Sequence, residues 1–195
     1  MGGAGVGVRR LVAVRHGRTA WNVAGRYQGH ADPDLDDEGR AQAERLAASL
    51  RWLRVDRLVS SDLARARLTA GPLARGLGLQ VLVDRRLREV DVGAWEGLTP
   101  EQAAELHPAQ HAAWWAGEDV ERGAGETREA AGRRAAEAVV EHATAVPPGG
   151  TLLVVSHGMV LRAALRQLRA DDLADLDEDP PHLANTGWLE VGLRV

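Results

Sequence analysis

The sequence predicts an α/β fold: a three-layer α/β/α sandwich with a mainly parallel central sheet. Three observations predict it. Short apolar runs rich in Val and Leu alternate with segments of helical character. Two of those runs end alike, in a histidine followed by a glycine. The chain has 195 residues and no cysteine, enough for one sizeable core that disulfides cannot support.

The elements follow in chain order. Residues 1–9 read as a flexible leader; Gly2 to Gly7 is glycine-rich but lacks the Gly-Lys-Ser/Thr ending of a P-loop. Leu11 to Val14 suits a buried parallel strand, which presents Arg15 and His16 beyond its carboxyl end. Asp36 or Asp37 caps a helix running to about Leu53, with Ala43, Leu46, Ala47 and Leu50 on one face. The strand Arg57 to Ser60 passes through a Ser/Asp cap into a helix that carries Arg65 about one turn in. Gly71-Pro72 should kink or end that helix, because proline removes a backbone bond. A short strand at Leu79 to Val83 follows, Pro100 opens a helix, and Glu126 to Ala145 forms a longer one. Thr151 to Ser156 is the last central strand, Met159 to Leu168 its helix, and Trp188 to Val191 an edge strand. Asp171 to Asp179, ending in Pro180 and Pro181, reads as a solvated loop.

The strand ends carry the chemistry. Arg15 offers a planar fork of donors matched to phosphate oxygens, and a neutral His16 can attack phosphorus or carry protons. Gly17 lets the backbone approach a bound anion. Alone, His16 reads as a hydrogen-bonded histidine at a strand end. The second junction, Ser156-His157-Gly158, alters that reading, because adjacent parallel strands would bring both imidazoles to one edge of the sheet. Arg65, near a helix start, could reach the same pocket, where backbone N–H groups also favour an anion. Glu89 stands in an otherwise apolar, glycine-rich loop, Leu87 to Gly97, which suits a carboxyl group to act as an acid.

Together these segments resemble the histidine phosphatase superfamily, the clan of phosphoglycerate mutases and many small-molecule phosphatases, from Leu11 to about Val191. The resemblance rests on Arg15, His16, Gly17, Thr19 and Asn22, on Gly25-Arg26-Tyr27-Gln28-Gly29, and on Gly39-Arg40-Ala41-Gln42-Ala43. It continues through Ser61, Leu63, Arg65, Ala66, Thr69 and Ala70, the loop Leu87-Arg88-Glu89 with Gly93, Trp95, Glu96 and Gly97, and Ser156-His157-Gly158. It implies a phosphoglycerate mutase-like fold and a metal-independent phosphomonoesterase with no cofactor. His16 would form a phosphohistidine, with Arg15, Arg65 and His157 around the transferred group and Asn22 donating to it. Glu89 would protonate the leaving alkoxide, while Gln28, Gly29 and Gly158 would complete the phosphate pocket. Residues 98–125 would be a cap insertion in a single domain spanning 1–195. Trp114 and Trp115 within it read as lid packing or substrate contacts. Arg18 departs from the Glu or Gln usual after the glycine; it points to solvent or contacts a second anionic group on the substrate.

The loop after Glu89 lacks the Arg and Tyr that mutases place there, which favours a phosphatase over a mutase. The segments around Trp115, Gly125-Glu126-Thr127 and Asn185-Thr186-Gly187-Trp188 are loosely similar to those of glucosyl-3-phosphoglycerate phosphatases; α-ribazole, fructose-bisphosphatase-type and broad-specificity branches stay open. So does a non-catalytic phosphate-binding role, although none of the catalytic positions is lost. His107 and His111 have the spacing of a zinc pair, but Pro108 between them and the want of a third ligand argue for no metal. A net charge of −4 argues against a nucleic-acid surface, and no apolar run approaches the length of a bilayer span. The expected partner is a small phosphorylated metabolite, with no nucleic acid and no membrane. The expected setting is cytoplasmic, and a homodimer stays open.

Overall fold

The computed structural model describes residues 7–195. Among them five strands form one sheet: β1 (Val8–Arg15), β2 (Arg57–Ser60), β3 (Val81–Val83), β4 (Thr151–Ser156) and β5 (Trp188–Arg194), in the spatial order β3-β2-β4-β1-β5. Neighbours pair in parallel except at β5, which runs antiparallel to β1. The two histidine-bearing strands are therefore adjacent and central, with Arg15 opposite Ser156.

Alternate residues of β1 enter different cores. Leu11 and Ala13 pack with Leu152 and Val154 beneath α6 (Arg128–Thr144) and α7 (Gly158–Ala170). Val12 and Val14 pack with Leu153 and Val155 beneath α2 (Asp37–Leu50) and α3 (Ala64–Leu77). A strand buried on both faces must be apolar throughout, which is why the run Leu11 to Val14 has no polar alternation. A third, smaller cluster, Val92, Trp95 and Ala103 with Tyr27, Leu98 and Trp114, joins the loop after Glu89 to α4 (Pro100–Leu106) and α5 (Pro108–Trp115).

Several expectations need correction. The leader was expected to reach residue 9, but Val8 and Arg9 already pair with Arg194 and Leu193, so β5 recruits them into the sheet; residues 1–6 lie outside the described residues. Ser61 and Asp62 do not cap α3. Leu63 is its N-cap residue without a side-chain cap, and the Ala64 N–H donates instead to Asp32 Oδ1 at 2.7 Å, while Asp62 takes a bidentate bond from Arg88 at 2.8 and 2.6 Å. Arg65 is consequently the second residue of α3. Nor does Pro72 end that helix, which runs on to Leu77 before Gly78 closes it in the left-handed conformation. Pro72, Leu73 and Ala74 are all buried there, so core packing offsets the hydrogen bond that proline cannot make. Two short helices were not expected: α1 (Ala20–Val23), whose capping box Thr19 and Asn22 form, and α5, which Pro108 opens.

Candidate active site

A cavity of about 190 Å³ opens beyond the carboxyl ends of β1 and β4, lined among others by Arg15, His16, Asn22, Gln28, Gly29, Arg65, Glu89 and Gly158. Parallel strands aim their carboxyl ends at such crevices, so the sheet itself collects residues far apart in sequence. His16 is 2% exposed. Its Nδ1 lies 2.7 Å from the Gly17 carbonyl, which can only accept, so Nδ1 carries the proton and Nε2 keeps its lone pair. Burial, and then the cation of Arg65, hold the His16 pKa well below its ordinary value, so the ring is neutral at neutral pH.

His157 faces His16 with ring centroids 5.1 Å apart, yet it does not line the cavity. Arg65 Nε donates to its Nδ1 at 3.1 Å, which leaves the proton on Nε2, 2.9 Å from Ser61 Oγ. Both ring nitrogens are thus engaged within the protein, and burial with the nearby Arg65 pushes its pKa far down as well. His157 thus links Arg65 to Ser61 directly behind His16. Arg65 is itself fully buried; its Nη1 and Nη2 donate to the carbonyls of Ala31 and Gly29 at 2.7 and 2.9 Å, and burial lowers its pKa to about 10.

Arg15 donates from Nη1 to Leu183 O at 2.8 Å, and its buried Nε has no partner. Asn22 Oδ1 accepts from the Thr19 backbone at 3.1 Å and from Asn185 Nδ2 at 3.2 Å, leaving its own amide nitrogen as the remaining donor at the cavity wall. Gln28 Oε1 accepts from the Thr19 hydroxyl at 3.1 Å. Gly17 serves a close approach other than the one expected: a Cβ there would come within 2.6 Å of the Gly39 carbonyl, so its bareness lets α2 pack under the loop.

Glu89 is not in an apolar setting. Its Oε1 accepts from Val90 N and Val160 N at 2.9 and 2.8 Å, and its Oε2 from Met159 N at 3.2 Å, so the carboxylate caps the first turn of α7. Oε2 accepts only that one long bond, whereas Oε1 accepts two. Arg134, from α6, holds the loop in place by donating to the carbonyls of Arg88 and Glu89 at 2.8 and 2.9 Å.

Arg18 is not at the cavity. Its Nε donates to Asp36 Oδ2 at 2.8 Å, so it steadies the N-cap residue of α2. His107 and His111 pack around the Trp95 ring at centroid distances of 6.3 and 5.8 Å. Trp114 packs edge-on against Trp95, while Trp115 is 74% exposed. Sequence reasoning passed over Arg134 and Arg122, and named Asn185 only within a segment of resemblance, with no role. Asn185 also donates to the His16 carbonyl at 3.1 Å, and nothing in its local sequence announces a contact across 169 positions.

Residues 11–194 match the family model of the histidine phosphatase superfamily, branch 1. The chain belongs to this superfamily. It is 38% identical over 193 residues to glucosyl-3-phosphoglycerate phosphatase of Mycobacterium tuberculosis, covering 94% of this chain and 85% of that protein. It is 35% identical over 166 residues to phosphoserine phosphatase 1 of Hydrogenobacter thermophilus, covering 85% and 78%. The solved structure of a mycobacterial glucosyl-3-phosphoglycerate phosphatase complexed with VO3 superposes with a TM-score of 0.81 at 34% identity, covering 93% and 92% of the two chains. These relatives support phosphoric monoester hydrolysis as the activity class of this member.

Proposed function

We propose that this histidine phosphatase hydrolyses a small phosphorylated metabolite through a phosphohistidine on His16, in a cytoplasmic setting. One observation carries the reading: the Gly17 carbonyl holds the proton on Nδ1, so His16 brings a neutral Nε2 lone pair to a cavity that Arg15 and Arg65 also line. In the first step Nε2 bonds to phosphorus as the ester P–O bond breaks, and Glu89 Oε2 gives its proton to the departing alkoxide. In the second, water attacks phosphorus, its proton passes to Glu89, and the P–N bond breaks to release phosphate and His16. Arg15, Arg65 and Asn22 supply fixed donors for the charge on the equatorial oxygens. His157 acts by holding Arg65 in position.

Hydrolysis of p-nitrophenyl phosphate near pH 6, with His16→Ala as control, tests the nucleophile; activity surviving the substitution overturns it. Incubation with 3-phosphoglycerate separates the mutase reading, because a phosphatase yields free phosphate and a mutase yields 2-phosphoglycerate.

A further inference from the structure

Two groups of the proposed mechanism, Arg65 and Glu89, meet on one short strap, Gly29 to Ala31. Its carbonyls face the guanidinium: Gly29 O and Ala31 O accept from Arg65 Nη2 and Nη1 at 2.9 and 2.7 Å. Its N–H groups face a carboxylate, since His30 N and Ala31 N both donate to Glu96 Oε1, at 2.6 and 2.9 Å. The strap therefore lies between a cation and an anion, with its peptide groups turned to the charge they favour. Burial lowers the Arg65 pKa, and the charges of Glu89, Asp32 and Glu96 oppose that shift. Glu96 thus meets Arg65 through the peptide groups between them.

The His30 ring reaches the other group. Its Nε2 lies 2.9 Å from the Glu89 carbonyl, which can only accept, so Nε2 carries the proton and donates it. Its Nδ1 stands 3.7 Å from Asp91 Oδ2, on the loop that follows Glu89. The same Glu89 carbonyl takes a second donor, Arg134 Nη2, at 2.9 Å. Glu89 is therefore fixed twice, its backbone by the strap and α6 and its carboxylate by the first turn of α7. The strap itself has little room to shift. Gly29 has a φ of 51°, and a Cβ there would lie 2.7 Å from Val92 Cγ2 and 2.8 Å from Glu96 Oε1. Arg65 and Glu89 line the cavity, whereas His30 and Glu96 stand behind them.

We propose that His30 and Glu96 are positioning residues that hold the proton donor and the phosphoryl clamp in one register: Glu96 sets the strap on which Arg65 is braced, and His30 sets the backbone of Glu89. Both roles rest on the phosphatase reading, with Glu89 as its acid, and deepen it. A reacting group displaced by about 1 Å loses on the order of 100-fold in rate, so bracing of this kind has a chemical consequence. The two residues should fail differently. Arg65 meets the same phosphoryl oxygens in every ester, so loosening it costs all esters alike. Glu89 matters in proportion to the basicity of the leaving oxygen. Phenolate, whose conjugate acid has a pKa of about 10, needs a proton as the P–O bond breaks far more than the weakly basic p-nitrophenolate does.

The test compares phenyl phosphate with p-nitrophenyl phosphate, which have nearly one shape, on the full chain. With His30→Leu, kcat/KM for phenyl phosphate should fall roughly 10-fold and that for p-nitrophenyl phosphate less than about 2-fold, while the dissociation constant of inorganic phosphate, by calorimetry, stays unchanged. His30→Gln, which keeps an N–H donor, should restore most of the loss, and in a Glu89→Gln background His30→Leu should cost nothing further. With Glu96→Ala both esters should lose alike and inorganic phosphate should bind roughly 10-fold more weakly, and Glu96→Gln, which keeps the acceptor oxygen, should recover most of this. An equal loss on both esters from His30→Leu, a loss that persists beside Glu89→Gln, or an unchanged phosphate constant in Glu96→Ala overturns the assignment. Amide exchange at Val160, whose N–H Glu89 accepts, reads the placement of Glu89 without turnover and should quicken several-fold in His30→Leu; an unchanged rate also overturns it. Quickened exchange in a protein whose unaltered form hydrolyses neither ester retains the positioning role and refutes the phosphatase reading alone. Should either variant fail to fold, as judged by its melting curve, His30→Asn, too short to reach the carbonyl, or Glu96→Ser takes its place.

Discussion

The floor of the cavity and its aromatic wall treat buried polar atoms in opposite ways. On the floor, Arg65 gives one N–H each from Nε, Nη1 and Nη2 to His157, Ala31 and Gly29 and keeps the second N–H of each terminal nitrogen, while His157 gives its own to Ser61, so a connected network fixes the geometry before any substrate arrives. In the wall, Tyr27, Trp95, His111, Trp114 and Arg122 each keep an unpartnered polar atom. A satisfied network gives preorganisation, which suits groups that meet the same phosphoryl unit in every substrate. Unmet donors cost stability, so the wall is held by ring packing rather than by hydrogen bonds. The floor has one exception, the buried Nε of Arg15, and it lies where the phosphoryl oxygens are expected.

The contrast can be broken most sharply on the floor, where the largest effect is expected. His16→Ala should abolish p-nitrophenyl phosphatase activity by more than about a thousandfold, equally for every phosphomonoester, with an unchanged melting temperature within a few degrees. Arg65→Met should cost about 3–5 kcal/mol in urea unfolding, since it strands two carbonyls and a ring nitrogen in the interior. A loss below about 1 kcal/mol would show that the floor network is not the rigid part. Acid should sharpen the same contrast. Both His16 and His157 have folded-state pKa values below the ordinary 6.5, so the unfolded chain binds protons that the folded chain refuses. Stability is therefore complete above about pH 6.5 and falls with pH beneath it, each ring contributing up to about 1.4 kcal/mol per pH unit; urea midpoints at pH 7 and 5 check this. The smallest effect is expected outside both regions: Arg18→Gln removes a part-exposed ion pair with Asp36 and should cost under about 1 kcal/mol, with Michaelis constants for singly and doubly anionic esters unchanged.

Much of the floor was legible because its residues sit at element ends, where apolar runs stop at charged or imidazole side chains. Strands β1 and β4 announce Arg15, His16 and His157 in this way. Boundaries were less legible: α6 begins at Arg128 rather than Glu126, because Thr127 caps it and Glu126 instead accepts from Asp91 N at 2.9 Å. The wall was illegible for a different reason. All 24 basic residues are arginine, and local sequence does not distinguish Arg122, held under Trp114 and Met159, from Arg18, paired at the surface.

By itself the sequence determined the fold class and singled out the candidate reacting groups, since hydrophobic runs choose the strands and parallel strands deliver their ends to one edge. Only the tertiary structure decided which cations are paired and which are not. Burial and partnership are properties of segments that meet in space, here Tyr27, Val92 to Trp95, His111 to Trp114 and Arg122, and no one of these segments carries that information alone.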